Sequence, residues 1–335
     1  MKNKLNMLAL LFCCSLALHG CDSAEKGGAQ QTTVEEMKET VQAPAFNPDS
    51  AYALIAKQVA FGPRVPNTAA HEATGEWIVA KLKGYGLEVK EQRFQMEAYN
   101  GTTLNLRNII ASINPGAANR VLLAAHWDTR PLADKDEKEP NTPIDGANDG
   151  ASGVGVLLEI ARTIKEAQLK PDVGVDMIFF DGEDYGQPDN SGLSYKDDTW
   201  CLGSQYWSKN KHVPNYRAKY GVLLDMVGAE NARFAREGHS MQFAREIVNK
   251  VWKAGNKIGY SDYFKYVNAP AIIDDHYYVN RVGNIRMIDI IEYNMNNPDD
   301  YFGPYHHRHT DNMDVISKNT LKAVGQTLLH VLYNE

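Results

Sequence analysis

The chain has 335 residues, of which 43% are hydrophobic, 23% charged and 10% aromatic, and its formal net charge is −7. This is the composition of a folded globular protein, and it excludes fibrous, low-complexity and multi-span membrane classes. With no lysine/arginine cluster of the kind that follows phosphates, nucleic-acid binding has no electrostatic footprint.

Lys2 and Lys4 precede an apolar run, Leu5 to Leu18, that is too short for a membrane span and is flanked like a secretory signal. The run ends at Leu18-His19-Gly20-Cys21, which resembles the lipobox of bacterial lipoproteins. Residues 1–20 are therefore expected to leave as a lipoprotein signal peptide. Cys21 then becomes a lipidated N-terminus that holds the protein on the periplasmic side of a membrane, inner or outer. Removing Lys2 and Lys4, with no acid in that stretch, takes the charge from −7 to −9. Residues 21–46 are polar, with Phe46 their one aromatic, and read as a flexible tether. Of the four cysteines, Cys13 and Cys14 go with the signal and Cys21 carries lipid, which leaves Cys201 without a disulfide partner. It reads as a small buried or half-buried hydrophobe rather than a thiol nucleophile.

Along the body, residues 71–83 fit a helix and residues 87–113 alternate like antiparallel edge strands. Val121 to Ala125 reads as a strand. Val154, Leu157, Leu158 and Ala161 share a face at helical spacing, so a helix follows the loop at 146–153. Val173 to Phe180, Val222 to Val227 and Met287 to Ile291 read as buried strands. Helices fit 240–254 and 319–332, the latter with Leu321, Val324, Leu328 and Val331 on one face. Apolar runs alternating with helical patterns predict an α/β fold, a twisted mixed central sheet flanked by helices, in a single domain over 47–335 that is within reach of one core. Two long polar stretches, 131–148 and 185–200, read as functional loops.

Acids and histidines gather just after the predicted strands, at the carboxyl edge where open α/β sheets place their ligands. His126 and Asp128 end the first buried strand in AAHWDTRP, and Asp149 stands in GANDGASG. Glu183 and Asp184 end MIFFDGED, Asp225 ends VLLDMVG, Asp274, Asp275 and His276 form IIDDH, and His309 lies in HHRHTDNMD. Carboxylates and imidazoles at one edge predict a metal site. This ligand set suits zinc, which in catalytic sites takes three protein groups and keeps one position open.

The motifs HWD at 126–128, NDGASG at 148–153, GED at 182–184, LDMVG at 224–228 and HT at 309–310 resemble, in order, the metal-site motifs of the M28 zinc aminopeptidases. The resemblance covers residues 47–335 and implies the zinc-exopeptidase sandwich, of phosphorylase/hydrolase type. Within that superfamily IIDDH at 272–276 and DMVGAENARF at 225–234 are closer to the glutaminyl cyclases, because the peptidases more often carry serine where Asp274 stands. The resemblance implies that Asp149, Asp184 and His309 hold zinc and that Glu183 is the general acid/base. Asp225 and Asp275 are then hydrogen-bonded acids beside it, and Trp200 and Phe302 are substrate-pocket walls. His126 and Asp225 match the second-metal ligands of two-zinc peptidases, so one zinc is expected and a second remains open, while His306 and His307 read as loop histidines. The animal cyclases carry tryptophan immediately before the last zinc histidine, where this chain has Arg308. The implied activity is conversion of N-terminal glutamine of peptides and proteins to pyroglutamate with release of ammonia. The alternative is a zinc aminopeptidase that releases N-terminal residues.

Overall fold

From residue 46 onward the apolar runs organise the chain into helices and strands with few long gaps. The computed structural model describes residues 40–297 and 301–335; the expected signal peptide, Cys21 and the tether up to residue 39 lie outside the described residues. In order, the elements are α1 (Pro48–Val59), α2 (Ala69–Gly84), β1 (Glu88–Glu97), β2 (Thr103–Ile113), β3 (Arg120–His126), α3 (Ala151–Glu166) and β4 (Gly174–Phe180). They continue with α4 (Leu202–Lys209), β5 (Tyr220–Asp225), β6 (Phe234–Arg236), α5 (Gly238–Phe243), α6 (Arg245–Lys257), β7 (Phe264–Asn268), α7 (Asp275–Arg281), β8 (Met287–Ile291) and α8 (Lys318–Tyr333).

The six-stranded sheet has the order β1-β2-β4-β3-β5-β8. β1 and β2 form an antiparallel pair, β2 joins β4 antiparallel, and β4, β3, β5 and β8 run parallel. The expected single α/β domain with a mixed sheet is what forms. Parallel strands are buried on both faces, which is why β3, β4 and β5 read as continuous apolar runs rather than alternating ones. Alternate residues of each strand nevertheless serve different layers. Val121, Leu123 and Ala125 join Ile55, Ile78, Val154, Val251 and Leu328 from α1, α2, α3, α6 and α8. Leu122 and Ala124 face the other way, toward Trp207 of α4 and Val279 of α7. Among the described residues no helix is long and apolar enough to cross a membrane.

Three expectations need adjustment. The strand expected at 222–227 ends at Asp225 because Met226 takes a left-handed backbone (φ 45°) that turns the chain away. The helix expected at 240–254 is two helices, broken at Ala244, whose φ of −145° is extended. Nearly all of α3 is buried rather than one face, since α1 and α8 cover its outer side and Gly153 lets it approach β5. A Cβ at Gly153 would lie 2.3 Å from the Leu224 carbonyl oxygen. Helix α1 went unassigned although its start is signalled, with Pro48 at the first position and the Asn47 side chain accepting from the Asp49 and Ser50 amides.

The tether also ends earlier than residue 46. Val41 exchanges hydrogen bonds with the Asn334 side chain at 2.8 and 2.9 Å, and the Phe46 amide donates to Gln326 Oε1 at 2.9 Å. The Phe46 ring, 2% exposed, fills the space left by Gly325 on α8. Apolar burial thus fastens residues 40–46 to the last helix. Replacing Phe46 by Ala should destabilise the domain by about 3 kcal/mol, the usual cost of emptying a buried aromatic site. Urea denaturation of the two proteins measures it, and a loss under 1 kcal/mol would return this segment to the tether.

Candidate metal centre and active site

Four parallel strands end at the same edge and deliver acids there. His126 closes β3, Asp149 precedes α3, Glu183 and Asp184 follow β4, Asp225 closes β5, and Asp274 caps α7 by accepting the Asp275 amide at 2.5 Å. All six are buried. The loops that carry them are held by other buried carboxylates. Asp128 accepts the amides of Glu183 and Asp184 at 3.1 and 3.2 Å, and Asp311 accepts those of Asn148 and Asp149 at 2.7 and 3.0 Å.

His126 Nε2 lies 3.1 Å from oxygens of both Asp149 and Asp225. Burial opposes its protonation, yet the hydrogen bonds to Asp128, Asp149 and Asp225 hold its pKa well above the ordinary histidine value. A second cluster lies on the other side of Asp149. His307 Nε2 is 3.4 Å from Asp184 Oδ1 and 4.0 Å from Asp149 Oδ2, and neither buried oxygen of Asp184 has a hydrogen-bond partner. His307 Nε2 thus faces carboxylates of both Asp149 and Asp184, the latter orphaned, and Asp149, His306 and His307 place ligand atoms within 4.8 Å of one another, a donor set that fits a bound divalent cation. Burial, with Asp149 beside it, pushes Asp184 up to about 6.

His307 thus occupies the place expected for His309. The tight turn at 303–308, with His307 in a left-handed conformation (φ 57°), aims residue 307 inward and sends residue 309 outward. His309 instead meets Thr142 Oγ1 at 2.9 Å and the Glu139 carbonyl at 3.2 Å. The expected departure at Arg308 moves with it to residue 306, which is histidine where the animal cyclases carry tryptophan. The residue before the converging histidine is His306, whose ring centroid is 3.7 Å from that of His307, and Arg308 donates to the Lys135 carbonyl outside the cavity.

Neighbours that carried no role in the sequence reading orient His307. Asp134 Oδ1 lies 3.2 Å from its Nδ1, and Arg130 grips Asp134 at 2.5 and 3.0 Å while donating to the Asp184 carbonyl at 3.0 Å. With Asp134 against the Nδ1 side of the ring, Nε2 faces the acids, the orientation a metal-ligating histidine needs. Arginine and aspartate in the polar stretch after HWD were the available signal.

Glu183 lines a cavity of about 630 Å³ with Asp149, Asp184, Asp225 and Asp274. Burial raises its pKa well above the carboxylate range, opposed by His126 and reinforced by Asp274. Burial likewise lifts Asp225 to about 7. Asp274, rather than the expected Asp275, is the acid that faces them: Asp274, Glu183 and Cys201 place ligand atoms within 4.8 Å of one another. Asp275 does not line the cavity and lies beside Ser204 of α4. Residue 274 is extended (φ −153°, ψ 176°) and residue 275 begins the helix, so their side chains diverge.

Trp200 and Phe302 both line the cavity. The Trp200 ring stacks on His307 at 5.8 Å and 10°, lies under the Arg130 guanidinium at 4.4 Å, and fits only because residue 186 is glycine. Phe302 packs on His306 at 4.2 Å. Cys201 is fully buried, as expected, and its Sγ donates to Glu183 Oε1 at 3.1 Å.

Two single variants separate the histidines. His307→Ala should lose bound zinc, with affinity lowered about 100-fold or more, whereas His309→Ala should keep it. Native mass spectrometry after zinc loading reads both, and the reverse pattern would restore His309 as the ligand.

Comparisons with known proteins identify the family. A Zn-dependent exopeptidase from Parabacteroides distasonis is 52% identical, with a TM-score of 0.85 over 88% of this chain and 100% of that one. The glutaminyl cyclase of Bacteroides thetaiotaomicron, solved bound to N-acetylhistamine, is 53% identical, with a TM-score of 0.84 over 88% and 100%. The Drosophila melanogaster glutaminyl-peptide cyclotransferase is 30% identical over 182 residues, 51% of this chain and 46% of that protein, so the match spans about half the length of this curated relative. Residues 108–332 match the model of Peptidase family M28, and the chain belongs to that family.

Proposed function

We propose that this chain is a zinc-dependent glutaminyl-peptide cyclotransferase, which closes the N-terminal glutamine of peptides and proteins into pyroglutamate and releases ammonia. The observation that carries this reading is the placement of Asp274 in the buried acid group with Glu183, next to Asp225. Likeness to the Bacteroides thetaiotaomicron glutaminyl cyclase over nearly the whole domain supports it.

Asp149, Asp184 and His307 would hold one zinc. Bound there, zinc supplies Lewis-acid polarisation of the γ-carboxamide oxygen. The remaining work falls to the chain's own groups. In cyclisation the α-amine forms a bond to the γ-carbonyl carbon while the bond from that carbon to the carboxamide nitrogen breaks. One proton must pass from the attacking nitrogen to the departing one, which leaves as ammonia. Glu183 takes and returns that proton, and the desolvation that raises its pKa makes the carboxyl a better base than an ordinary carboxylate. Asp225 and Asp274 keep negative charge around Glu183, Trp200 and Phe302 form the walls, and the buried floor limits water that would compete with the amine. His126, Asp149 and Asp225 also place ligand atoms within 4.8 Å of one another, so donors for a second cation are at hand and the zinc count belongs to the test below.

The same site suits hydrolysis by an activated water, and the likeness to a Zn-dependent exopeptidase keeps that reading in view. One zinc-loaded sample assayed on a Gln-peptide and on Leu-amide decides: pyroglutamate and ammonia with little free leucine are expected, at one zinc per chain. Rapid leucine release with two zincs bound would make the protein an aminopeptidase. Glu183→Gln should retain zinc and lose turnover by about 100-fold or more; near wild-type activity would remove Glu183 from the chemistry.

We further propose that the protein is exported in bacteria and anchored by lipid on Cys21, on the periplasmic side of a membrane, for which the lipobox-like Leu18-His19-Gly20-Cys21 is the support. Metabolic labelling with palmitate should mark the wild type, and Cys21→Ala should be unlabelled and leave the membrane fraction. Equal labelling of both would sink the anchor.

A further inference from the structure

One buried group beside the candidate site has no part in the chemistry above. Cys201 is the residue before α4, in a left-handed conformation (φ 59°, ψ 36°) that costs any side chain with a Cβ. Glycine or asparagine suits such a position better. The side chain makes no capping bond to α4, although Ser, Thr, Asp or Asn at that place would do so. Neither backbone preference nor helix capping therefore accounts for a thiol here. Its contacts do: the Cys201 amide donates to the Glu183 carbonyl at 2.9 Å, and Sγ donates to Glu183 Oε1 at 3.1 Å. One residue thus holds both the backbone and the carboxyl of Glu183. The third member of the group, Asp274, is 3% exposed and its Oδ2 has no hydrogen-bond partner.

We propose that Cys201 is a positioning residue for Glu183, its thiol fixing one carboxyl oxygen so that the group keeps one rotamer against the unpartnered acid beside it. This rests on Glu183 being the proton carrier. A thiol suits the task because it is a weak donor. Burial and the neighbouring Glu183 push the thiol pKa well up, so it stays protonated and remains a donor. The thiol is fully buried, and the role is orientation, with no bond made or broken at sulfur.

Packing and positioning predict opposite orders for two substitutions. If Cys201 only fills space, Cys201→Ala is the milder change and Cys201→Ser, which buries a hydroxyl among acids, the harsher. If it positions Glu183, Ser keeps a donor and Ala removes it. We expect Cys201→Ala to lower kcat about tenfold or more with KM little changed, the scale on which a small misplacement of a catalytic group acts. Cys201→Ser should recover kcat to within about threefold of wild type. Both are assayed as zinc-loaded proteins, with zinc content and melting temperature recorded. Should Ala fail to fold, Cys201→Gly, which relieves the left-handed backbone, takes its place in the comparison with Ser. Alanine equal to or better than serine, or both at wild-type kcat, overturns the proposal. Failure of the cyclase reading shows separately, as wild-type protein that releases leucine and forms no pyroglutamate. The order of the variants is then read on Leu-amide.

Discussion

Two buried carboxylates hold the site together through backbone amides. Asp128 binds the amides of Glu183 and Asp184, and Asp311 binds those of Asn148 and Asp149. Each hydrogen bond from an amide to a charged acceptor inside the protein is stronger than its neutral counterpart, and each would be costly to leave unmade. The clamps set the separation between the loop after β4 and the loop before α3. On that separation depend the distances among Asp149, Asp184 and His307 and the place of Glu183 beside them.

Packing this many acids at one sheet edge is otherwise unfavourable, since each carboxylate loses its water and repels the next. The compensation is specific. Arg64 is buried behind Asp128 and Asp149 and donates to the Trp127, Asp145 and Gly146 carbonyls, Arg130 holds Asp134 and the Asp184 carbonyl, and His126 and His307 lie among the carboxylates. What these groups leave unbalanced is informative. Asp184 retains two oxygens without a hydrogen-bond partner, donors that suit a cation, and Glu183 is left with a raised pKa, the property a proton carrier needs.

The frame around the edge does little beyond supporting it. Helices α1, α3 and α8 close one side of the sheet and α4 and α7 the other, and both α4 and α7 begin at the site, α4 after Cys201 and α7 after Asp274. Chemistry and packing therefore meet at helix starts.

Much of this was legible in the residues because strand interiors and strand ends have different chemistry. Mostly apolar runs mark β3, β4, β5 and β8, interrupted only by Asp176 in β4 and Asp289 in β8, and the acids and histidine that follow β3, β4 and β5 mark the carboxyl edge, so His126, Asp149, Glu183, Asp184 and Asp225 could be placed together from sequence alone. The order of the strands, the clamps Asp128 and Asp311, and the Arg130–Asp134–His307 chain could not, because they join positions up to 173 residues apart. His307 against His309, and Asp274 against Asp275, turned on one or two residues of local backbone: a left-handed residue in a tight turn, and an extended residue before a helix. Residue types and spacing determine which atoms are available for the chemistry. Which of two neighbouring side chains faces the cavity is decided by φ and ψ at a single residue, and tertiary packing sets those angles.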